Sequence, residues 1–115
     1  MDKDIRAYAR HIPVSAQKAR LVVDLVRGKD VVEALELLGY TTNKAAVPLS
    51  NLLTSAVANA ENNFGMNRYD LYIHKVFADE GPTRKWRRFG ARGRVKPRLR
   101  RSSHLSVILR EHEEV

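Results

Sequence analysis

The chain has 115 residues, enough for one domain with a modest core, and 43% of them are hydrophobic, a globular rather than a disordered proportion. The formal net charge is +8, and the lack of cysteine excludes disulfides and thiolate zinc sites. No apolar run approaches the roughly eighteen residues of a membrane span, and MDKDIRAYARH resembles neither a secretory signal nor a transit peptide, so the expectation is a soluble intracellular protein.

Ile5, Ala7 and Ala9 alternate with Arg6, Tyr8 and Arg10, a weak period of two that predicts a strand over 5–11, broken by Pro13. Ser15 is a suitable N-cap for a helix to about Arg27, with Gly28 as its stop. Ala19, Leu21, Val22, Val23, Leu25 and Val26 spread over more than half of that helix's circumference, and Arg20, Asp24 and Arg27 fill the rest. Such an arc predicts packing on several neighbours. A short second helix starts at Asp30, where Glu33 stands as in a capping box, and ends at Gly39.

Asn43 is placed to cap a third, longer helix to about Asn63, with Pro48 in its first turn. Ala45, Ala46, Leu49, Leu52, Leu53, Ala56, Val57 and Ala60 share one face, and the alanines allow a neighbour to approach closely. NNFG closes this helix. LYIHKVFA (71–78) reads as a strand whose apolar phase shifts between Ile73 and Val76, the mark of a bulge. SHLSVIL (103–109) alternates more regularly, with Leu105, Val107 and Leu109 on one face.

Between these two strands lies RKWRRFGARGRVKPRLRR, residues 84–101. Ten of its eighteen positions are Lys or Arg and none is acidic; outside it eleven basic residues meet thirteen acidic ones, so the rest of the chain is slightly anionic. Two strands joined by such a segment predict one extended hairpin. Nine residues from Gly81 to its middle reach about 30 Å when fully extended. An isolated ribbon is marginal in water, so its outer part is expected to gain order only against an anionic surface.

Three readings of this arm compete. A solvated loop normally mixes signs, whereas a block of like charges points to an interaction element. A membrane surface suits RKWRRF, but Gly90, Gly93 and Pro97 interrupt any helix and no broad apolar face forms. Nucleic acid suits the segment best. Arg outnumbers Lys eight to two, and guanidinium groups grip phosphate bidentately and stack on bases. Trp86 and Phe89 add flat surfaces for stacking. No recognition helix carries the charge, and a thin ribbon suits the crevices of folded RNA.

The motifs SAQKARLVVDLVRGK (15–29), LTSAVANAENN (53–63), FADEGP (77–82) and ARGR (91–94) followed by SSHLSV (102–107) appear in order with compatible spacing. Over about residues 5 to 110 the chain thereby resembles the large-subunit ribosomal protein L-twenty-two family. The resemblance implies an α+β fold: three helices packed on a small antiparallel three-stranded sheet, with a long protruding β-hairpin. Residues 1–115 would form a single ribosomal domain with 84–101 as its arm. The resemblance further implies binding to large-subunit ribosomal RNA, help in its assembly, and a hairpin lining the nascent-peptide exit tunnel. Its partners would be that RNA, neighbouring large-subunit ribosomal proteins and the nascent peptide. No membrane, cofactor or metal is implied, and the location would be the cytoplasmic ribosome.

Carried onto this chain, the RNA-binding residues would be Lys18, Arg20, Arg84, Lys85, Trp86, Arg87, Arg88, Arg92, Gly93, Arg94, Lys96, Arg98, Arg100, Arg101 and His104. Arg88, Phe89, Gly90 and Ala91 would form the tunnel-facing tip. Phe89-Gly90 departs from the Pro-Arg of many relatives, Pro13 stands where a basic residue is common, and Trp86 is unusual at its position. The runner-up function is a free-standing RNA or DNA chaperone using the same arm.

Several residues have a plainer reading beside the functional one. Lys18 and Arg20 meet phosphates or simply form an exposed helix face, where Asp24 is placed to pair with Arg20. His104 meets RNA or is a strand histidine bonded to the backbone. Adjacent strand residues face opposite ways, so Ser102, Ser103 and His104 form no nucleophile–base pair. Likewise Asp79 and Glu80 do not flank one bond and read as turn-forming or Arg-pairing residues. The terminal EHEEV reads as a solvated tail. With no phosphate-cradling loop, no HExxH and no cysteine cluster, no enzyme is expected.

Overall fold

The computed structural model describes residues 4–89 and 95–112, the backbone alone in 84–89 and 95–100. Strand β1 spans Ile5–Ile12, followed by helices α1 (Ala16–Val26), α2 (Val31–Tyr40) and α3 (Ala46–Phe64). A single 3-10 turn, Arg68–Asp70, leads into β2 (Leu71–Glu80). Then come β3 (Arg84–Phe89), β4 (Val95–Arg100) and β5 (Ser103–Glu111). The three-stranded sheet has the order β1-β5-β2, both pairings antiparallel, and β3 and β4 form a separate antiparallel ribbon. This is the α+β architecture expected from the sequence.

The period-two pattern of the strands sorts their residues between two environments. Ile5 of β1, Leu71, Ile73, Val76 and Ala78 of β2, and Leu105, Val107 and Leu109 of β5 are buried against the helices. From α1 the core receives Ala19, Val22, Val23 and Val26, and from α3 Leu49, Leu53, Ala56 and Ala60. Each fully buried Leu or Ile contributes about 1.5–3 kcal/mol relative to exposure. The other face of the sheet is open: Tyr8 is 60% exposed and Phe77 46%.

The expected shift in β2 is present. Ile73 pairs with Leu109 and Lys75 with Ile108, so one residue bulges and Val76 regains the inward phase. β1 has a second irregularity between Ala9 and Ile12. There His11 adopts φ 58°, a left-handed conformation uncommon for a non-glycine residue.

β2 is an edge strand, and α1 closes that edge. Arg20 Nε donates to the Ala78 carbonyl at 3.0 Å and Arg27 Nη2 to the Val76 carbonyl at 3.0 Å. The Ile73 N–H donates to the Lys29 carbonyl at 2.9 Å. Covering an unpaired edge with charged side chains and a loop removes a template for aggregation.

Helix ends obey the sequence unevenly. Ser15 caps α1, its hydroxyl accepting from the Lys18 N–H at 3.4 Å. Gly65, at φ 64°, closes α3 as NNFG implied. The capping box of α2 is not made. Asp30 occupies the N-cap position without a side-chain cap bond, because its carboxylate meets His112 Nε2 at 2.6 Å, while Glu33 pairs with Lys29 at 3.6 Å. Gly39 does not stop α2, which continues to Tyr40. Asn43 acts one turn before α3: its Oδ1 accepts from the Ala45 N–H at 2.9 Å, and the N-cap position belongs to Ala45. The apolar arc of α1 is also wider than its buried stripe, since Leu21 and Leu25 are 64% and 45% exposed.

Candidate nucleic-acid interface

The arm begins where β2 and β5 run out. Beyond the Glu80–Ser103 pair, the Gly81 N–H donates to the Ser102 carbonyl at 2.9 Å, and the Ser102 hydroxyl donates to the Pro82 carbonyl at 2.7 Å. A Cβ on Gly81 would lie 2.6 Å from Ser102 Oγ and 3.2 Å from His104 Cε1. This close approach is why glycine stands at the junction. The ladder resumes at Arg84–Arg100 and continues to Phe89–Val95.

That register divides the arm's residues between two faces of the ribbon, because directly paired positions share a face and successive ones alternate. Arg84, Arg100, Trp86, Arg98, Arg88 and Lys96 fall on one face. Lys85, Leu99, Arg87, Pro97, Phe89 and Val95 fall on the other. One face thus carries five of the cations with a single tryptophan; the opposite carries two cations among four apolar positions. Composition alone did not reveal this segregation, because the phase of β4 relative to β3 depends on the length of the connection at the tip. Gly90, Ala91, Arg92, Gly93 and Arg94 lie outside the described residues.

At the foot of the arm a cleft of about 1160 Å³ opens between it, the start of α1 and the segment before α3. Lys18, Arg20 and Arg101 line it together with Lys44, Glu80 and the backbone around Ser15 and Ala16. Lys18, Lys44 and Arg101 are exposed. The start of a helix presents unpaired N–H groups and a partial positive charge, which favours anions. Three residues expected to meet RNA therefore converge on one concave surface. Lys44 was missed because a lone lysine between two helices carries no signal in sequence; only the folding of 41–45 against the α1 terminus brings it there.

Arg20 has a structural task as well. Its Nε is held by the Ala78 carbonyl, and the expected pair with Asp24 is not the one formed, since Asp24 pairs with Arg27 at 3.2 Å. His104 does not line the cleft but stands beside it, near Gly81, on the open face of β5. Its Nδ1 accepts from the His11 N–H at 3.1 Å, and the two rings meet edge to face with centroids 5.0 Å apart. Of its two readings, the structure contains the backbone-bonded one.

No helix among the described residues is long and apolar enough to cross a membrane, and no group of three or more His, Cys, Asp or Glu among them is arranged to hold a metal ion. The model of the family described as "Ribosomal protein L22p/L17e" matches residues 7–110. The chain is 46% identical over 111 residues to "Large ribosomal subunit protein uL22" of Carboxydothermus hydrogenoformans, covering 96% of this chain and 98% of that protein. It is 50% identical over 110 residues to the protein of the same name from Syntrophomonas wolfei, covering 96% and 97% of the two chains. For the Pediococcus pentosaceus protein, again of that name, the identity is 48% over 109 residues, covering 95% and 92%. Helices stacked on one face of a β1-β5-β2 sheet, a cation-rich ribbon drawn out between β2 and β5, and likeness along almost the whole length converge: the chain belongs to the ribosomal protein L22p/L17e family.

Proposed function

We propose that this protein is a structural constituent of the large ribosomal subunit in the cytoplasm, a single RNA-binding domain spanning 1–115 with 84–101 as its arm, and that it performs no catalysis. It binds large-subunit ribosomal RNA, assists the folding of that RNA during assembly, and sits among neighbouring ribosomal proteins. The arm runs into the RNA, and its tip, Arg88, Phe89, Gly90 and Ala91, borders the nascent-peptide tunnel. The observation that carries the reading is the concentration of ten cations without one acid in a segment of eighteen residues, set on a ribbon that leaves the body. Polyphosphate is the partner that balances such a charge.

The remaining cations have places in this scheme. Arg92 and Arg94, with Gly93 between them, belong to the basic pair of the tip region. Lys18, Arg20 and Arg101 hold phosphates in the cleft at the arm's foot, and His104 stands just beyond it.

Charge reversal tests the scheme. Arg92→Glu with Arg94→Glu should weaken binding to large-subunit ribosomal RNA by about one to two orders of magnitude at moderate salt, with the circular dichroism and melting temperature of the body unchanged. Unchanged RNA affinity would remove the arm from the mechanism. A wild-type chain that leaves large subunits in a moderate salt wash would instead favour the free-standing chaperone.

A further inference from the structure

We propose that the open face of the three-stranded sheet is a second RNA site, a stacking platform for an unpaired stretch of single-stranded RNA, built on Tyr8 and Phe77. The proposal rests on the RNA-binding role argued above but concerns a surface apart from the arm.

The register creates the platform. Tyr8 pairs with Ser106, and Phe77 pairs with the same Ser106 across the other ladder. The two aromatic residues therefore flank one small residue in a single cross-strand row, about 9.5 Å apart at two strand spacings. Both are exposed, at 60% and 46%. Single exposed apolar residues are ordinary on protein surfaces, but two rings brought into one row across a small serine give two stacking surfaces along one strip. Every nucleobase has a π-face, so such a strip accepts bases with little regard to sequence.

Charge selects the occupant. In the adjoining row Arg6 pairs with Ile108, and Lys75 pairs with that same Ile108 from the other side. Arg10 lies beyond Tyr8 and is exposed. A shallow depression of about 340 Å³ runs from Tyr8 and Arg10 across to His104 and Ser106. Among the described residues this face holds two carboxylates, Asp4 at one end and Asp79 in the row beside Phe77. Asp4 is engaged by Arg110 Nε at 2.5 Å and approached by Arg6 at 3.8 Å, and Asp79 is paired in register with His104. Tyr8 thus has a cation on either side, Arg6 and Arg10, while Phe77 has Lys75 on one side and Asp79 on the other, so the phosphates of a stacked strand would pass along Arg6, Lys75 and Arg10. An apolar protein partner would leave those cations desolvated and unpaired. Antiparallel sheets with exposed aromatics serve unpaired RNA in the same way.

Stacking and charge neutralisation are separable experimentally. The probe is an unstructured single-stranded RNA of roughly twelve nucleotides, titrated into the full chain by fluorescence anisotropy over a range of salt. Tyr8→Ala and Phe77→Ala should each weaken binding about tenfold. The slope of log affinity against log salt should stay as in the wild type, because no cation is removed. Tyr8→Phe with Phe77→Tyr should restore affinity. In parallel, photo-cross-linking of the wild-type chain should yield adducts at Tyr8 or Phe77.

Unchanged affinity in the alanine variants, with adducts confined to the arm, overturns the platform. So does an alanine double variant that binds RNA normally yet fails to stay on large subunits, which would assign the face to a protein neighbour. The Arg92/Arg94 reversal, measured on structured ribosomal RNA, reports on the arm independently. Loss there with no effect at Tyr8 and Phe77 would sink the platform alone.

Discussion

Among single residues, Asp4 shows how a carboxylate at the edge of the fold is put to use. Its hydrogen bond from Arg110 holds its carboxyl below the ordinary 3.8, and the charges of Arg110 and Arg6 act in the same direction. A depressed acid contributes stability that is complete above its unfolded value and is lost as pH falls through the folded one. Asp4→Asn should therefore lower the melting temperature slightly at neutral pH and flatten the acid limb of the stability curve below about pH 4, measured by thermal melts across pH, with variant and wild type converging at the acid end. An acid limb identical to the wild type would show that the pair is too solvated to matter. Residue-level roles were the least legible part of the sequence. Asp30 reads as a helix cap until the fold delivers His112 from 82 positions away to take its carboxylate. His104 bonds a backbone group 93 positions distant. Such partnerships follow from strand order, which local pattern does not encode.

At the scale of elements, the junction between body and arm is the informative joint. Gly81→Ala would force the Ser102 hydroxyl away from its position 2.6 Å from the new methyl and break its bond to the Pro82 carbonyl. The expected cost is about 1–2 kcal/mol, with hydrogen exchange accelerated at the amides of Gly81 and its neighbours before any change in the helices. Leu53→Ala, in the centre of α3 and 0% exposed, should cost about 3 kcal/mol and appear as a uniform loss of melting temperature. Elements themselves were largely legible. Long periodic stretches announced α1, α3 and the alternation of β5, and the phase slip announced the bulge of β2. The start of α2 at Asp30 was read correctly, but its capping box was not formed and its stop fell one residue late, because a well-spaced glutamate and a glycine are permissive signals, overridden here by tertiary contacts. The wide apolar arc overstated how many neighbours α1 has, leaving Leu21 and Leu25 exposed, because a helix wheel ranks hydrophobicity and cannot count neighbours.

For the whole molecule, the decisive property is the separation of charge from core. The described residues extend 69 × 25 × 20 Å, a form that compact packing alone would not produce from 115 residues. Binding to ribosomal RNA should accordingly be dominated by released counterions. If the arm neutralises roughly six to ten phosphates, log affinity against log salt should fall with a slope of about −4 to −8. A slope near −1 would mean that the arm stays outside the RNA. Composition made the arm conspicuous from the outset. The cleft at its foot and the aromatic row across the sheet were invisible, since each joins residues from separate elements.

The order of the sheet has a mechanical consequence. Both legs of the arm continue into β2 and β5, and β5 is also bonded along its length to β1. Tension applied along the ribbon therefore drags β5 lengthwise against β1, and the ladder bonds, which lie across the strands, are loaded together rather than one after another. A tether attached to the arm would meet a joint that resists sliding, so the finger is anchored against withdrawal by the same strand that organises the hydrophobic interior.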